Sequence, residues 1–384
     1  MKRLIVFSMI AALLVPVLPA FGGGIDNPSV PIGPTLHRNI AQLGMGGMST
    51  VIRENAHTPF YNPALLSQQN FRLELDLIAV GVNQEVPGLV QFISDNAENF
   101  GQMDQMSQDE QDEFYDKALE YDNKFIPTQI MPYIGFAFKN FGFGVYNVSQ
   151  TDVAVDLGVL APSVRLRGYM DTVVGVGYGR FVQIRDFQFQ AGATVKVVDR
   201  RVVNAERVTA DEVSATDELF NTMLDELNQS YGSVGIDLGV AKTFEMGEPG
   251  HGTPLDVGVT LQDLFMDLGD GMMIPNLKAG VMYHLPWADE SWLARWVVGG
   301  EVVDMFNREG NSLFNKINLG TELAVLKGFL RLRGGFHQGY PTGGLGLSFG
   351  IMTLDYAYFT RELGPSPDTE PESMHRIQLG FGWQ

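Results

Sequence analysis

The chain has 384 residues, with 45 Asp+Glu against 26 Lys+Arg and a formal net charge of −19. So acidic a surface is repelled by phosphate backbones, which excludes nucleic-acid binding by the bulk of the protein. There is no cysteine, and this excludes a lipid-anchored N-terminal cysteine, a disulfide framework and thiolate chemistry.

Lys2 and Arg3 precede an apolar run from Leu4 to Leu18, with small residues at Ala20 and Gly22 to Gly24. This predicts a secretory signal over 1–22, cleaved after Ala20 or Gly22. The run is short for a spanning helix, so an uncleaved anchor is the weaker alternative. No other stretch has membrane-helix length, which leaves a soluble periplasmic protein or a β-barrel. Charged residues make up 18% of the chain while glycine numbers 44. That balance suits a wall facing lipid, and it also suits a solenoid or sandwich.

Residues 23–70 precede the first strand pattern and are expected to form a plug, or hatch. Gly44, Gly46 and Gly47 let backbone fold tightly inside a lumen. Tyr61-Asn62-Pro63-Ala64 reads as a fixed turn, because Pro63 sets its own φ and restrains Asn62.

From residue 71 onward, apolar residues recur with period two. Phe187, Phe189, Ala191, Ala193, Val195 and Val197 share one face, as do Val234, Ile236, Leu238 and Val240. Leu255, Val257, Val259 and Leu261 repeat the pattern, and Ile377, Leu379, Phe381 and Trp383 close it. Strands are expected at 71–83, 130–140, 142–153, 171–182, 187–202, 231–245, 254–264, 275–285, 292–304, 314–325, 329–338, 343–350, 351–361 and 374–384. The opposite faces carry mostly Gly, Gln, Thr and Asn with sparse charge. That composition is expected of a polar lumen with lipid outside, whereas a soluble sandwich would turn a charged face to water.

Connections read as alternately long and short, with tight turns at Lys139 to Phe141, Gln183 to Asp186, Leu326-Lys327-Gly328 and Gly350-Ile351, and a moderate one at Gly247 to Gly252. Short turns on one side and long loops on the other are the outer-membrane pattern, with both chain ends on the short-turn, periplasmic side. Two long links carry helical patterns. Ser107-Gln108-Asp109-Glu110 fits a capping box ahead of Phe114, Ala118 and Tyr121. Leu219, Phe220, Met223, Leu224 and Leu227 form an apolar stripe between Thr209 and Asn228. Such stripes usually pack on the barrel mouth; a gate or a collecting surface for apolar ligand is the functional alternative. Trp287, Trp292, Trp296 and Trp383 fall at the short-turn side, as an interfacial aromatic belt would.

The expected fold is therefore all-β: an antiparallel transmembrane barrel of about 14 strands. It has an N-terminal hatch, short helices in long extracellular loops, and the barrel proper over 71–384. No catalytic motif is evident, so no enzymatic activity and no cofactor are expected. His37, His57, His251, His284, His337 and His375 show no zinc spacing, and no metal is expected. Asp263, Asp267, Asp270 and Gly271 lack an EF-hand pattern and read as a solvated loop.

Together, Gly44–Gly47, Pro59–Leu66 and Asp355–Tyr358, with Glu362-Leu363-Gly364 after it, resemble the long-chain fatty acid transporter superfamily of outer-membrane barrels. The closest likeness is to its plasmid-transfer, TraF-like branch. The resemblance implies a fourteen-stranded barrel with Asn62, Pro63 and Ala64 in the hatch. It implies a passive channel for small hydrophobic molecules or, alternatively, a structural component of a conjugal-transfer or secretion assembly. A surface enzyme and a plain water-filled porin fit less well. Expected partners are outer-membrane lipid, the barrel assembly machinery, a hydrophobic small-molecule ligand and envelope proteins. Trp383 resembles the terminal aromatic by which that machinery takes clients, although Gln384 follows it.

Overall fold

A computed structural model describes residues 38–363 and 366–383, apart from 54, 97–105, 123, 125, 158–162, 209–229, 248–251, 270, 287–291 and 370. The expected signal over 1–22, the apolar stripe within 209–228, and Trp287 lie outside the described residues.

The sheet is antiparallel and closed on itself. Its strands, in chain order, are β1 (Gln69–Asn83), β2 (Ile126–Ile130), β3 (Tyr133–Lys139), β4 (Phe141–Asp156), β5 (Ser163–Ile184), β6 (Phe187–Val208), β7 (Ser230–Met246) and β8 (Thr253–Leu264). They continue with β9 (Asn276–His284), β10 (Leu293–Val302), β11 (Ile317–Val325), β12 (Leu330–His337), β13 (Tyr340–Phe349), β14 (Met352–Glu362) and β15 (Pro371–Trp383). Each strand pairs with its sequence neighbour, and β15 returns to β1 with Leu73 opposite Trp383. β2 and β3 both lie between β1 and β4, interrupted at Met131-Pro132, so the fifteen segments fill fourteen positions around the barrel. Pro132 has no N–H to donate, which explains the break in an otherwise continuous ladder. Met131 N–H still bonds Ala79 O at 2.8 Å, and Asn147 N–H bonds Pro132 O at 3.2 Å.

The alternation seen in the sequence maps onto the two sides of the wall. Val174, Val176, Val195, Val197, Val234, Leu238, Val240, Val259, Val281, Leu319, Leu345 and Ile377 are exposed on the outside. Between them Thr194, Lys196, Asp237, Thr260, Lys278, Asn318, Asp355 and Gln378 are buried inside. An apolar exterior around a polar interior inverts a soluble core, and it marks this as a transmembrane barrel. Among the described residues no helix is long and apolar enough to cross a membrane.

Two expectations need correction. The interior is rich in charge rather than sparsely charged: most strands carry few inward ionised residues, although β6 alone buries Lys196, Arg200 and Arg201, and closure collects them all into one lumen. Links also stop alternating after β12. The turn to β13 is only Gln338-Gly339, with φ of 53° and 89°. Paired positive φ values give the two-residue hairpin geometry that matches strand twist. The other tight turns are as expected: Lys139 and Arg185 have φ of 53° and 54°, and Leu326, Lys327 and Gly328 are all positive.

β5 and β6 are longer than their periodicity suggested, at 22 residues each. A membrane needs roughly 9–11 residues per strand, so this hairpin rises well beyond the bilayer. Helices α1 (Ile40–Gly44) and α2 (Thr58–Tyr61) lie inside the barrel, while α3 (Val86–Asn96) and α4 (Gln108–Ala118) belong to the link between β1 and β2. The Ser107 capping box of α4 is present with both reciprocal hydrogen bonds. Phe92 of α3 and Phe114 of α4 meet at 5.5 Å and pack with Tyr121, Ile126 and Val155 over one rim.

Candidate functional site: the lumen and its inner segment

Residues 38–68 fold inside the barrel. Asn39 caps α1, its side chain accepting from Ala41 N–H at 2.8 Å. The helix ends at once in a glycine turn, where Gly46 and Gly47 have φ of 72° and 78°. A Cβ on Gly46 would sit 2.2 Å from Leu319 O of the wall, so both the turn and the close approach demand glycine there. Thr342 Oγ1 secures this turn, accepting from Gly46 N–H at 3.1 Å and donating to Gly44 O at 3.2 Å. Gly44 packs on Gly344 of β13.

The Asn-Pro-Ala turn is anchored on the far side. Asn62 has the extended backbone (φ −151°, ψ 101°) that a following proline imposes. Its Oδ1 accepts from Ala64 N–H at 3.1 Å, and its Nδ2 donates to Thr50 O at 2.8 Å. Nδ2 also reaches Val240 O of β7 at 3.4 Å. One side chain thus caps the 3₁₀ turn Pro63–Gln68, closes the inner segment on itself and touches the wall. Tyr61 is fully buried, and its hydroxyl accepts from Asn39 N–H at 3.0 Å, joining the two halves of the segment.

Wall side chains complete the attachment. Glu301 accepts from Ser49 N–H and Thr50 N–H at 2.7 Å each. Gln262 donates to Phe60 O, and Thr194 to Pro59 O, both at 2.7 Å. Arg53 reaches Thr243 and Asp256. Buried backbone polar groups need partners, and irregular chain at membrane depth is tolerated where protein supplies them, as the wall does here.

The lumen divides into two zones. One is an apolar seam. It runs from Met266 and Leu268 in the link after β8, past Val198, Val173, Val148 and Tyr146 on the wall, to Phe60 and Tyr61 of α2. Met131, Tyr133 and Ala79 join it, so the seam abuts the β2–β3 interruption. Phe265, Met272 and Ile274 are exposed in that same outer link.

The other zone is ionic. Arg200 grips Asp171 with two hydrogen bonds of 2.7 and 2.8 Å. Lys196 bridges Asp237 (2.8 Å) and Asp263 (2.6 Å), and Arg308 also reaches Asp263 at 2.7 Å. Arg333 joins Glu322 and Asp355 at 2.7 and 2.5 Å. Asp263 is therefore a buried ion-pair partner on β8, not part of a solvated loop. Asp267 does form the expected loop turn, accepting from Gly269 N–H at 2.9 Å.

The structure brings the predicted hatch residues Gly44, Gly46, Gly47, Tyr61, Asn62, Pro63 and Ala64 into one buried segment. Trp292, Trp296 and Trp383 share the short-turn end; Trp292 and Trp383 are exposed, and Trp296 Nε1 donates to Thr321 Oγ1 at 3.1 Å. Sequence reasoning missed a polar cluster at the base of the segment. The His57 Nδ1 lies 3.6 Å from Glu74 Oε2, and its Nε2 lies 3.5 Å from Asp76 Oδ2. Asn55 Oδ1 sits 2.7 Å from the same Nδ1, and Tyr133 stacks on the ring at 3.5 Å. The residue types suit a metal, but the committed Nδ1 and the stacked ring fit a pin between inner segment and β1. Glu74 and Asp76 at i and i+2 on one face of β1 were the available signal.

No family model matches the chain, and no curated protein matches it. Among solved structures it is similar to the Ralstonia pickettii toluene transporter TbuX, at 12% identity and a TM-score of 0.46, over 90% of this chain and 97% of that one. It is similar to the Pseudomonas putida toluene transporter TodX at 13% identity and a TM-score of 0.44, over 96% and 99%. The monoaromatic hydrocarbon channel CymD aligns at 12% identity and a TM-score of 0.45, over 89% and 96%.

Proposed function

We propose that the protein is an outer-membrane channel for small hydrophobic molecules, exported by its N-terminal signal, with residues 38–68 as a hatch that must shift for passage. The observation that carries this reading is the apolar seam. In a lumen otherwise crossed by ion pairs, one continuous apolar strip joins an outer link bearing exposed Phe265, Met272 and Ile274 to the hatch residues Phe60 and Tyr61. An apolar solute gains nothing beside buried ion pairs but is accommodated along such a strip. The seam is filled by side chains, so transit needs a rearrangement, and Asn62 is the natural hinge point because its one side chain joins the turn, Thr50 and β7. The exposed tryptophans Trp292 and Trp383 fit a lipid-interface belt on the periplasmic side.

The test is uptake of a labelled long-chain fatty acid, and in parallel of toluene, by liposomes holding the refolded protein. Saturable uptake altered by the double variant Asn62→Ala/Pro63→Ala supports the channel. Uptake no faster than through empty liposomes, beside a working transporter control, overturns it.

A second reading is a docking component of a conjugal-transfer or secretion assembly, as the TraF-like resemblance implies. Met305, Phe306, Leu313 and Phe314, all exposed in the link between β10 and β11, favour it. Under that reading, substitution of Phe306 and Phe314 by Ser abolishes assembly binding and leaves solute uptake unchanged.

A further inference from the structure

Above the hatch lies a cavity of about 210 Å³ whose lining is markedly basic. Six cationic side chains reach it: Arg38 from the hatch and Lys196, Lys278, Arg308, Arg361 and Arg376 from the wall and its links. Its two carboxylates, Asp263 and Glu309, are already engaged. Asp263 holds Lys196 and Arg308, and Glu309 lies 3.7 Å from Arg308. Arg361 is paired with Glu372 outside the cavity lining.

Among the described residues three of these cations have no carboxylate within 4 Å. Glu301 lies within electrostatic reach of Lys278 and Arg38, but its carboxylate is hydrogen-bonded to Ser49 and Thr50. Glu372, within reach of Arg376, is paired with Arg361. Lys278 is 3% exposed and makes no hydrogen bond or ion pair with any of the described residues. Arg376 donates to Gln129 and lies 4.8 Å over the Phe359 ring, while its buried Nε has no partner. Arg38 Nη1 lies 3.0 Å from His337 Nε2. Arginine can only donate, so Nε2 accepts and His337 Nδ1–H is left for Asn318 Oδ1 at 2.9 Å. Arg38 lies within electrostatic reach of both Lys278 and Arg376.

By contrast, Arg200 and Arg333 elsewhere in this lumen, and Lys196 at the cavity's own edge, each have one or two carboxylates at 2.5–2.8 Å. A protein of net charge −19 has no shortage of acids to supply. Uncompensated buried cations are costly, and a cluster of them is what an anion site requires. We propose that this cavity is a binding site for a small oxyanion, of the carboxylate or phosphate class, held by Lys278, Arg376 and Arg38. Because Arg38 belongs to the hatch and the other two to β9 and β15, the bound anion ties hatch to wall. The inference is independent of hydrophobic passage: it stands on the unpaired cations, not on the seam.

The experiment is thermal unfolding of the full refolded barrel at fixed ionic strength, titrated with inorganic phosphate and separately with benzoate, against chloride. The expected result is a saturable rise in Tm with one of the two, phosphate identifying a phosphate-class site and benzoate a carboxylate-class one. Lys278→Met should melt higher than the parent without added anion, since it removes an unpaired buried charge, and should weaken the saturable effect at least roughly tenfold. Arg376→Gln should weaken it similarly. A parent Tm that responds to phosphate and benzoate only as it does to chloride overturns the proposal. So does an unchanged saturable shift in well-folded Lys278→Met.

Discussion

The two zones of the lumen are built on opposite principles. The seam around Phe60, Tyr146 and Val198 is complete as it stands: apolar side chains interlock, Phe60 meets Tyr146 edge-on at 4.9 Å, and no charge is left over. The basic cavity around Lys278 and Arg376 is partly open, and three of its six cations have no carboxylate within 4 Å among the described residues. A closed apolar surface needs motion before it can do anything, whereas an accessible cavity with surplus charge needs only a counterion. The hatch touches both, through Phe60 on one side and Arg38 on the other. That double contact makes it the element on which passage and anion binding would compete or cooperate.

Variants in each zone should separate the two. The largest effect is expected in the ionic zone, at the bidentate Arg200–Asp171 pair. Asp171→Ala removes the two hydrogen bonds it accepts from the buried Arg200 guanidinium and should cost about 3–5 kcal/mol of stability in denaturant unfolding. If it costs no more than a surface change, the ionic zone is not structural. Phe60→Ala comes next, removing the hatch's aromatic anchor from the seam at about 3–5 kcal/mol for an ideally rigid site, less to the extent that the seam collapses. It should also accelerate uptake in liposomes while leaving the phosphate or benzoate titration intact. Loss of both together would mean the zones are one unit.

Asn62→Ala should cost about 1–3 kcal/mol, since Ala64 N–H and Thr50 O lose their buried partner. Limited proteolysis of the 50–66 stretch tests this, and cleavage no faster than in the parent would show that the hinge role is wrong. The smallest effect lies at the rim. Hydrogen bonds from Ser107 hold the Glu110 carboxyl below its ordinary pKa. A depressed acid contributes above its unfolded value and is lost as pH falls through the folded one. Helix α4 should therefore fray on acidification below about pH 4.5, and Ser107→Ala should remove that pH dependence in hydrogen exchange. Neither lumen zone should respond to it.

The capping box at Ser107–Glu110 was legible because every contact it needs lies within four residues. The Asn62-Pro63 turn was legible for the same reason: proline restricts its neighbour whatever surrounds it. Helix α3 was missed. Val86-Pro87-Gly88 opens it with a turn-like signature, and its apolar residues Leu89 and Phe92 find partners only when Phe114 and Tyr121 fold over them. The His57–Glu74–Asp76 cluster was equally invisible as a unit, since its members sit on a turn and a strand that become neighbours only inside the barrel.

By itself, the order of residues determined that this chain makes an antiparallel barrel. Period-two alternation is a property of single strands, and turn residues with positive φ are a property of single turns. The positions of all fourteen wall segments could therefore be read locally. Which inward residues meet was decided by closure, because Lys278 on β9 and Arg376 on β15 are six segments apart along the sheet and face one another across the lumen only once β15 has joined β1. The tertiary structure alone settled that the interior is charge-dense, divided into a seam and a basic cavity, and packed against the hatch on both sides.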